Sequence, residues 1–316
     1  MAKLILTIAI LLLCFAVATI VRSAQRRIAI EAEYPAEGQF LNVDGHTVHS
    51  LQMGSGPDVV LIHGASGSTR DFTFSLASKL AEEFRVTMFD RPGLGYTPAL
   101  APQCVTLNAQ TDLLVRASLQ MGIDTPIVVG HSFGGALVMS WAVNHPDRIA
   151  AAVSISGATY PWPGKLDGFY KLLSRPVLGP IIANILSAWV PRSYVRGEVE
   201  GVFLPQHAPV GYADHIGAEL NLRPESLVAN AQQRTDLRAQ LRSLSKSYAT
   251  IAIPIEILHG TADKTVDPEI HSAALERDAQ SAHLTRLNGV GHMPHHVDEP
   301  AVIDAIRRAA TRAGLR

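Results

Sequence analysis

Gly130-His131-Ser132-Phe133-Gly134 sets a hydroxyl between two glycines. Here a run of buried-strand character, Ile127 to Val129, gives way to a helix-forming run, Ala136 to Met139. A serine at the apex of so sharp a turn has strained backbone, and glycines beside it remove Cβ atoms that would clash. The start of the following helix offers N–H groups to a developing oxyanion. Such a serine needs a base, and the base needs an orienting acid. The chain has 13 histidines, too many to choose by type, so position must decide. GVGHMPHH sets His292 in a glycine-containing loop after a strand over Ala282 to Leu287. HGTADKTVDP sets Asp263 just beyond the strand that ends at Leu258. Carboxyl ends of parallel strands are where such folds build sites, and the order Ser132, Asp263, His292 suits nucleophilic acyl chemistry. Asp267 is the rival acid, although its Asp-Pro setting suits a helix start. The bland alternative for Ser132 is a small residue in a tight turn.

The elements that must position these groups are legible from periodicity. Phe40 and Val43, the turn Asp44-Gly45, then Val48 and Leu51 read as a hairpin. Val59 to Ile62, Arg85 to Asp90, Ile127 to Gly130 and Ala151 to Ser156 read as strands, the apolar ones covered on both faces. Between them Phe72, Leu76, Leu80 and Phe84 form one apolar helical stripe, and a second helix covers Leu107 to Met121. The rhythm breaks at Tyr160 and resumes at Ile253, with a last helix after Asp298. This alternation predicts an α/β fold, a doubly wound and mostly parallel sheet, with a helical cap inserted over residues 160–249. The divisions expected are 1–27 for an N-terminal segment, 28–159 and 250–316 for the two parts of the core, and 160–249 for the cap.

Composition narrows the setting. With 47% hydrophobic residues over 316 positions the chain can bury a sizeable core, and a net charge of −1 argues against a nucleic-acid surface. Two cysteines, Cys14 and Cys104, offer neither a disulfide framework nor a cysteine metal site. Leu4 to Val21 is an uncharged run of 18 residues, roughly 27 Å as a helix and close to the lower limit for crossing a bilayer. Read as an anchor, it gives a single-pass membrane protein. Read as a signal peptide cleaved near Ala16-Val17-Ala18, it gives a secreted or periplasmic one. Arg22, Arg26 and Arg27 follow it, and residues 22–38 read as a polar linker.

The chain resembles the α/β-hydrolase fold superfamily, through HGASGS at His63, DRPGLGYT at Asp90, GHSFGG at Gly130, HGTADKTVDP at His259 and GVGHMPHH at Gly289. The resemblance covers nearly everything after Phe40. It implies Ser132 as nucleophile, His292 as base and acid, and Asp263 as orienting carboxylate. It also implies an oxyanion hole from the backbone N–H groups of Phe133 and Ala65. Relatives that open epoxides or remove halides carry aspartate where Ser132 stands, so serine points to an acyl-enzyme and to hydrolysis of a carboxylic ester or related acyl compound. No HGGG-type loop is present. A C–C bond hydrolase, an acyltransferase and a non-catalytic ligand-binding relative are the competing functions.

No cofactor is expected, and the partner is a small acyl substrate, lipidic if the anchor reading holds. His295 and His296 suggest no metal site, since no carboxylate or cysteine at suitable spacing accompanies them. His131, His63 and His259 read as supports for their turns, His46 and His49 as surface residues of the hairpin, and Asp90 and Arg91 as braces. Tyr160, Trp162, Phe169 and Tyr170 either line an acyl pocket or pack the cap onto the core. Asp236 with Arg234 and Arg238 reads as a solvated helical face.

Overall fold

The computed structural model describes residues 1–100, 106–164 and 168–316. Cys104 lies outside the described residues. Among the described residues one sheet of eight strands organises the fold: β1 (Gln39–Val43), β2 (His46–Met53), β3 (Asp58–Ile62), β4 (Arg85–Phe89), β5 (Ile127–His131), β6 (Ala151–Ile155), β7 (Ile255–Gly260) and β8 (Ala282–Leu287). Their order is β1-β2-β4-β3-β5-β6-β7-β8. β2 pairs antiparallel with β1 and β4, and every later pairing is parallel. The chain steps outward from β3 to β4 and then crosses back to β5, so the order in which strands are added reverses between the parallel neighbours β3 and β5. Ligands settle at such a switch point.

The central strands are apolar throughout because both their faces are covered. Along β3 and β5, Val60, Ile62 and Val128 face one layer, built from α4 (Leu107–Gln120) and α5 (Phe133–Asn144). Val59, Leu61, Ile127 and Val129 face the other, which holds Phe72, α3 (Leu76–Leu80) and α13 (Glu299–Arg312). The single stripe expected over Phe72 to Phe84 is two short pieces, α2 (Arg70–Thr73) and α3, parted at Ser75, whose φ of −157° is not helical. At the hairpin, Asp44 (φ 51°) and Gly45 (φ 85°) both take left-handed backbone, which suits a two-residue turn between twisted strands.

Between β6 and β7 the chain is helical: α6 (Gly168–Leu173), α7 (Leu178–Trp189), α8 (Arg192–Phe203), α9 (Tyr212–His215) and α10 (Pro224–Leu244). α10 hydrogen-bonds the loops at the carboxyl ends of β3 and β4 through Asn230 and Gln233. The short α11 (Pro268–Asp278) and α12 (Pro294–Val297) follow β7 and β8.

The N-terminal segment corrects the linker expectation. α1 (Ala2–Glu33) is one continuous helix of 32 residues, so residues 22–33 are not a linker and a division at residue 27 falls inside it. Its second half is held by α7: Arg22 Nε donates to the Ala188 carbonyl at 2.8 Å and Arg26 Nη1 to that of Val190 at 2.9 Å. Thr19 and Ser23 are buried there.

Candidate active site

Ser132 follows β5 directly and precedes the first residue of α5, with φ 53° and ψ −114°. A non-glycine residue in that region carries strain on the order of 1–3 kcal/mol, and it persists only where the surroundings impose it. Here they do. A Cβ on Gly130 would lie 2.3 Å from the Gly134 carbonyl oxygen, and one on Gly134 would lie 2.1 Å from that of Ile62. Strand, turn and helix therefore close on each other only with glycine at both positions.

The structure brings the three separated groups together. His292 Nε2 lies 3.0 Å from Ser132 Oγ, and His292 Nδ1 lies 2.7 Å from Asp263 Oδ2. The loops after β5, β7 and β8 supply them, all at the carboxyl edge of the sheet. Asp263 is buried, which alone would raise its pKa. Hydrogen bonds from His259 and His292, the nearby His292 ring and the Val266 N–H outweigh that and hold the carboxyl well below its usual range. It therefore faces Nδ1 as a carboxylate, so Nδ1 carries the hydrogen and Nε2 turns a lone pair to the serine hydroxyl. Asp267 lines the same cavity but caps α11 through the N–H groups of Glu269 and Ile270, and Asp263 is the carboxylate that bonds His292.

His259 was expected only to support its loop. It touches the acid itself: its Nε2–H is shared between Asp263 Oδ2 at 3.0 Å and the Val266 carbonyl at 2.9 Å. Asp263 Oδ1 accepts from the N–H groups of Thr265 and Val266 at 2.8 and 3.0 Å. Both oxygens are thus fixed from two sides.

Phe133 is the first residue of α5, so its N–H has no acceptor within the helix. The Gly64 carbonyl accepts from His63 Nδ1 at 2.9 Å and from Arg91 Nη2 at 3.3 Å. Because a trans peptide points its N–H opposite to its C=O, the Ala65 N–H is directed away from those donors. Gly64 lies against the serine, where an added Cβ would stand 3.2 Å from Ser132 Cβ. Arg91, wholly buried, also lies over the Phe133 ring at 4.1 Å and bonds Gln233 of α10; burial pushes its pKa down to about 9. The next loop residue, Ser66, is pinned by Asn230 and Asn221. Sequence reasoning missed both asparagines, since nothing local distinguishes them.

Behind the serine sits a buried polar cluster. His131 Nε2 donates to the His292 carbonyl at 2.9 Å. Asp71 accepts from Tyr212 Oη at 2.7 Å, His296 Nε2 at 2.8 Å and His295 Nε2 at 3.2 Å. Burial opposes ionisation of Asp71, yet His295 and His296 hold it well below the ordinary carboxylate range. So a carboxylate does accompany those histidines, contrary to expectation, and it comes from a residue more than 220 positions away. With His131, Asp71 and His295 form the group of closely spaced ligating atoms found among the described residues. Asp71 already accepts from three protein donors.

Two smaller expectations also fail. His49 is not a surface residue: it is 2% exposed and bonds Asp90 Oδ2 at 2.6 Å, while Asp90 Oδ1 accepts from the Thr69 N–H. Arg234 is not merely solvated, since it covers the Tyr170 ring at 4.1 Å, and Arg238 donates to the Gly164 carbonyl. Trp162, Phe169 and Tyr170 line a cavity of about 1020 Å³ that opens on Ser132 and His292, whereas Tyr160 packs against Tyr248 and bonds Asp278. Leu173, Leu186, Val190 and Tyr194 make its wall largely apolar.

A family model described as alpha/beta hydrolase fold matches residues 57–299. An uncharacterised protein of Mycobacterium tuberculosis is 28% identical over 286 residues, covering 87% of this chain and 81% of its own length. Among solved structures, an alpha/beta hydrolase fold protein from Burkholderia ambifaria aligns with a TM-score of 0.70 at 21% identity, over 85% of this chain and 96% of its own. A membrane phospholipase A aligns with a TM-score of 0.64 at 19% identity, over 97% of this chain and 99% of its own. With the family model spanning most of its length and the strand order described above, the chain belongs to the α/β-hydrolase fold family.

Proposed function

We propose that this protein is a membrane-anchored serine hydrolase that cleaves the carboxylic ester of a lipidic acyl compound. The observation that carries the reading is the relay Ser132 Oγ, His292 Nε2, His292 Nδ1, Asp263 Oδ2, with steps of 3.0 and 2.7 Å. In it, His292 takes the serine proton as Oγ attacks the acyl carbon. The oxyanion is held by the N–H groups of Phe133 and Ala65, and the imidazolium is stabilised by Asp263. His292 then passes the proton to the leaving alkoxide. Water, deprotonated by the same nitrogen, releases the acid from Ser132.

Three observations support a lipidic substrate. The cavity at Ser132 is walled mainly by apolar side chains, which suit a long acyl chain. α1 carries a run long and apolar enough to cross a membrane, and the alignment with the membrane phospholipase A extends over nearly the whole of both chains. The test is labelling of the full-length protein with a fluorophosphonate, together with hydrolysis of p-nitrophenyl esters of increasing chain length. Ser132→Ala should lose both the label and the turnover. Wild-type protein that takes no label at Ser132 and cleaves none of the esters would refute the serine mechanism. A preference for acetate over long acyl chains would refute the lipidic substrate.

A further inference from the structure

α7 is inverted for a helix on a water-facing surface. Its inward row, Gly179, Ala183 and Ser187, is small and buried. Its outward row at the same spacing of four, begun by the preceding residue, is Val177, Ile181, Ile185 and Trp189, large and apolar at 71%, 53%, 37% and 45% exposure. Leu178, and Phe169 and Leu172 of α6, enlarge the patch. Contiguous exposed apolar surface of this kind marks a place of contact.

What covers it follows from where α7 meets α1. Trp189 stacks on Phe15 with ring centroids 6.0 Å apart and donates to Thr19 Oγ1 at 3.1 Å. Arg22 lies over the same indole at 4.9 Å. Trp189 therefore sits beside the last turns of the apolar run, where it gives way to arginines. Tryptophan and arginine side by side are the residues that settle at the level of lipid headgroups. Lys171 and Arg175, both exposed, stand near the other end of the patch, where long cationic stems reach headgroup phosphates. The inner faces of the same elements, through Leu173, Leu186 and Val190, are walls of the cavity at Ser132.

We propose that the α6–α7 face is a second membrane contact. Its occupant is the bilayer that α1 spans; α7 lies in the interface, and lipids reach the cavity sideways from it. The inference rests on the reading of α1 as a membrane span.

The test uses the full chain in lipid nanodiscs, with both cysteines replaced by serine and a spin label at Ile181→Cys. Labels at Leu11→Cys on α1 and at the fully exposed Val210→Cys serve as references. Collision rates with oxygen and with a water-soluble nickel chelate report lipid and water respectively. Residue 181 should follow residue 11, favouring oxygen, and differ from residue 210. Nickel access at 181 equal to that at 210, with residue 11 still in lipid, overturns the second contact alone. Nickel access at all three overturns the membrane span with it. Spin–spin broadening between copies at 181 would assign the face to a second copy and also overturn the proposal. In parallel, Ile181→Glu with Ile185→Glu should slow hydrolysis of a vesicle-embedded ester at least tenfold and leave that of a soluble short ester unchanged. Equal rates on the vesicle substrate count against it.

Discussion

His131 Nε2 donates to the main-chain carbonyl of His292 at 2.9 Å, so the residue before Ser132 holds the backbone of His292. The two imidazoles are 4.9 Å apart, and His131 is in turn packed on His295 at 4.3 Å. The position of His292 is therefore set from below the serine as well as by Asp263. His131→Phe keeps a ring in the space and removes the hydrogen bond. A misplacement of the base by about 1 Å can cost on the order of a hundredfold in rate. We expect kcat on a p-nitrophenyl ester to fall tenfold to a hundredfold, roughly, with KM little changed. A change confined to KM would show that His131 does not position the base.

Arg91 aims the other half of the site. Arg91→Met removes one of the two hydrogen bonds to the Gly64 carbonyl and the charge over Phe133, leaving the peptide that carries the Ala65 N–H held by His63 alone. Loss of one oxyanion donor costs roughly 100-fold to 1,000-fold in kcat, and a loosened donor should cost part of that. Fluorophosphonate labelling should slow in parallel. Full activity in Arg91→Met would remove Arg91 from the positioning of the loop.

Asp263→Asn tests the tautomer. An amide offers one acceptor oxygen where the carboxylate serves His292 and His259 together with two backbone N–H groups. The His292 ring then loses its reason to carry hydrogen on Nδ1, and kcat should drop on the order of 10,000-fold with KM nearly constant. Asp267→Asn, which keeps a helix-capping side chain at the cavity wall and leaves the His292–Asp263 pair intact, should stay within about twofold of wild type.

Acid should destabilise the fold before the carboxylates titrate. Burial pushes His63 and His271 down to about 4 from 6.5, with Arg91 and His259 respectively adding to the effect. His63 Nε2 accepts from the Arg91 N–H, and His271 Nδ1 accepts from those of Thr159 and Tyr160, so protonation breaks hydrogen bonds in both. The unfolded chain binds these protons below pH 6.5 and the folded chain only near 4, so stability falls as pH is lowered through that window. The difference corresponds to on the order of 3 kcal/mol per histidine at the acid end. Thermal melts should show a falling Tm between the two values, and His271→Gln should flatten the slope. A Tm independent of pH there would contradict the buried neutral state of both rings.

How much of this was legible depends on the range of the signal. The hairpin at Asp44-Gly45, the apolar strands and the Gly130–Gly134 turn announce themselves because backbone sterics and burial act within a few residues. Ser132, His292 and Asp263 follow from motif position once the strands are placed, and the structure sets them within hydrogen-bond reach. Asn221, Asn230, Gln233 and Asp71 were invisible: each meets its partner across more than 140 residues, and polar residues on helices read as solvated until the fold supplies the other half. His49 misled for the same reason, since Asp90 covers it from a different strand. α1 was cut short because the charges after Val21 read as an exit from order. Arg22 and Arg26 instead bond the carbonyls that end α7, and Arg27 pairs with Glu31 and Glu225.

The unbroken course of α1 has a mechanical consequence. Twelve residues from Arg22 to Glu33 continue the helix past its apolar run, about 18 Å of stiff rod lashed to the catalytic body. A disordered leash would let an enzyme graze a disc of membrane around its root at any tilt. With α1 as the proposed membrane span, a strut of this kind holds Ser132 at one height and one bearing over the bilayer. On the proposed function the protein would then wait for substrate to diffuse to its foot, and lateral lipid mobility would join the chemistry in setting its rate.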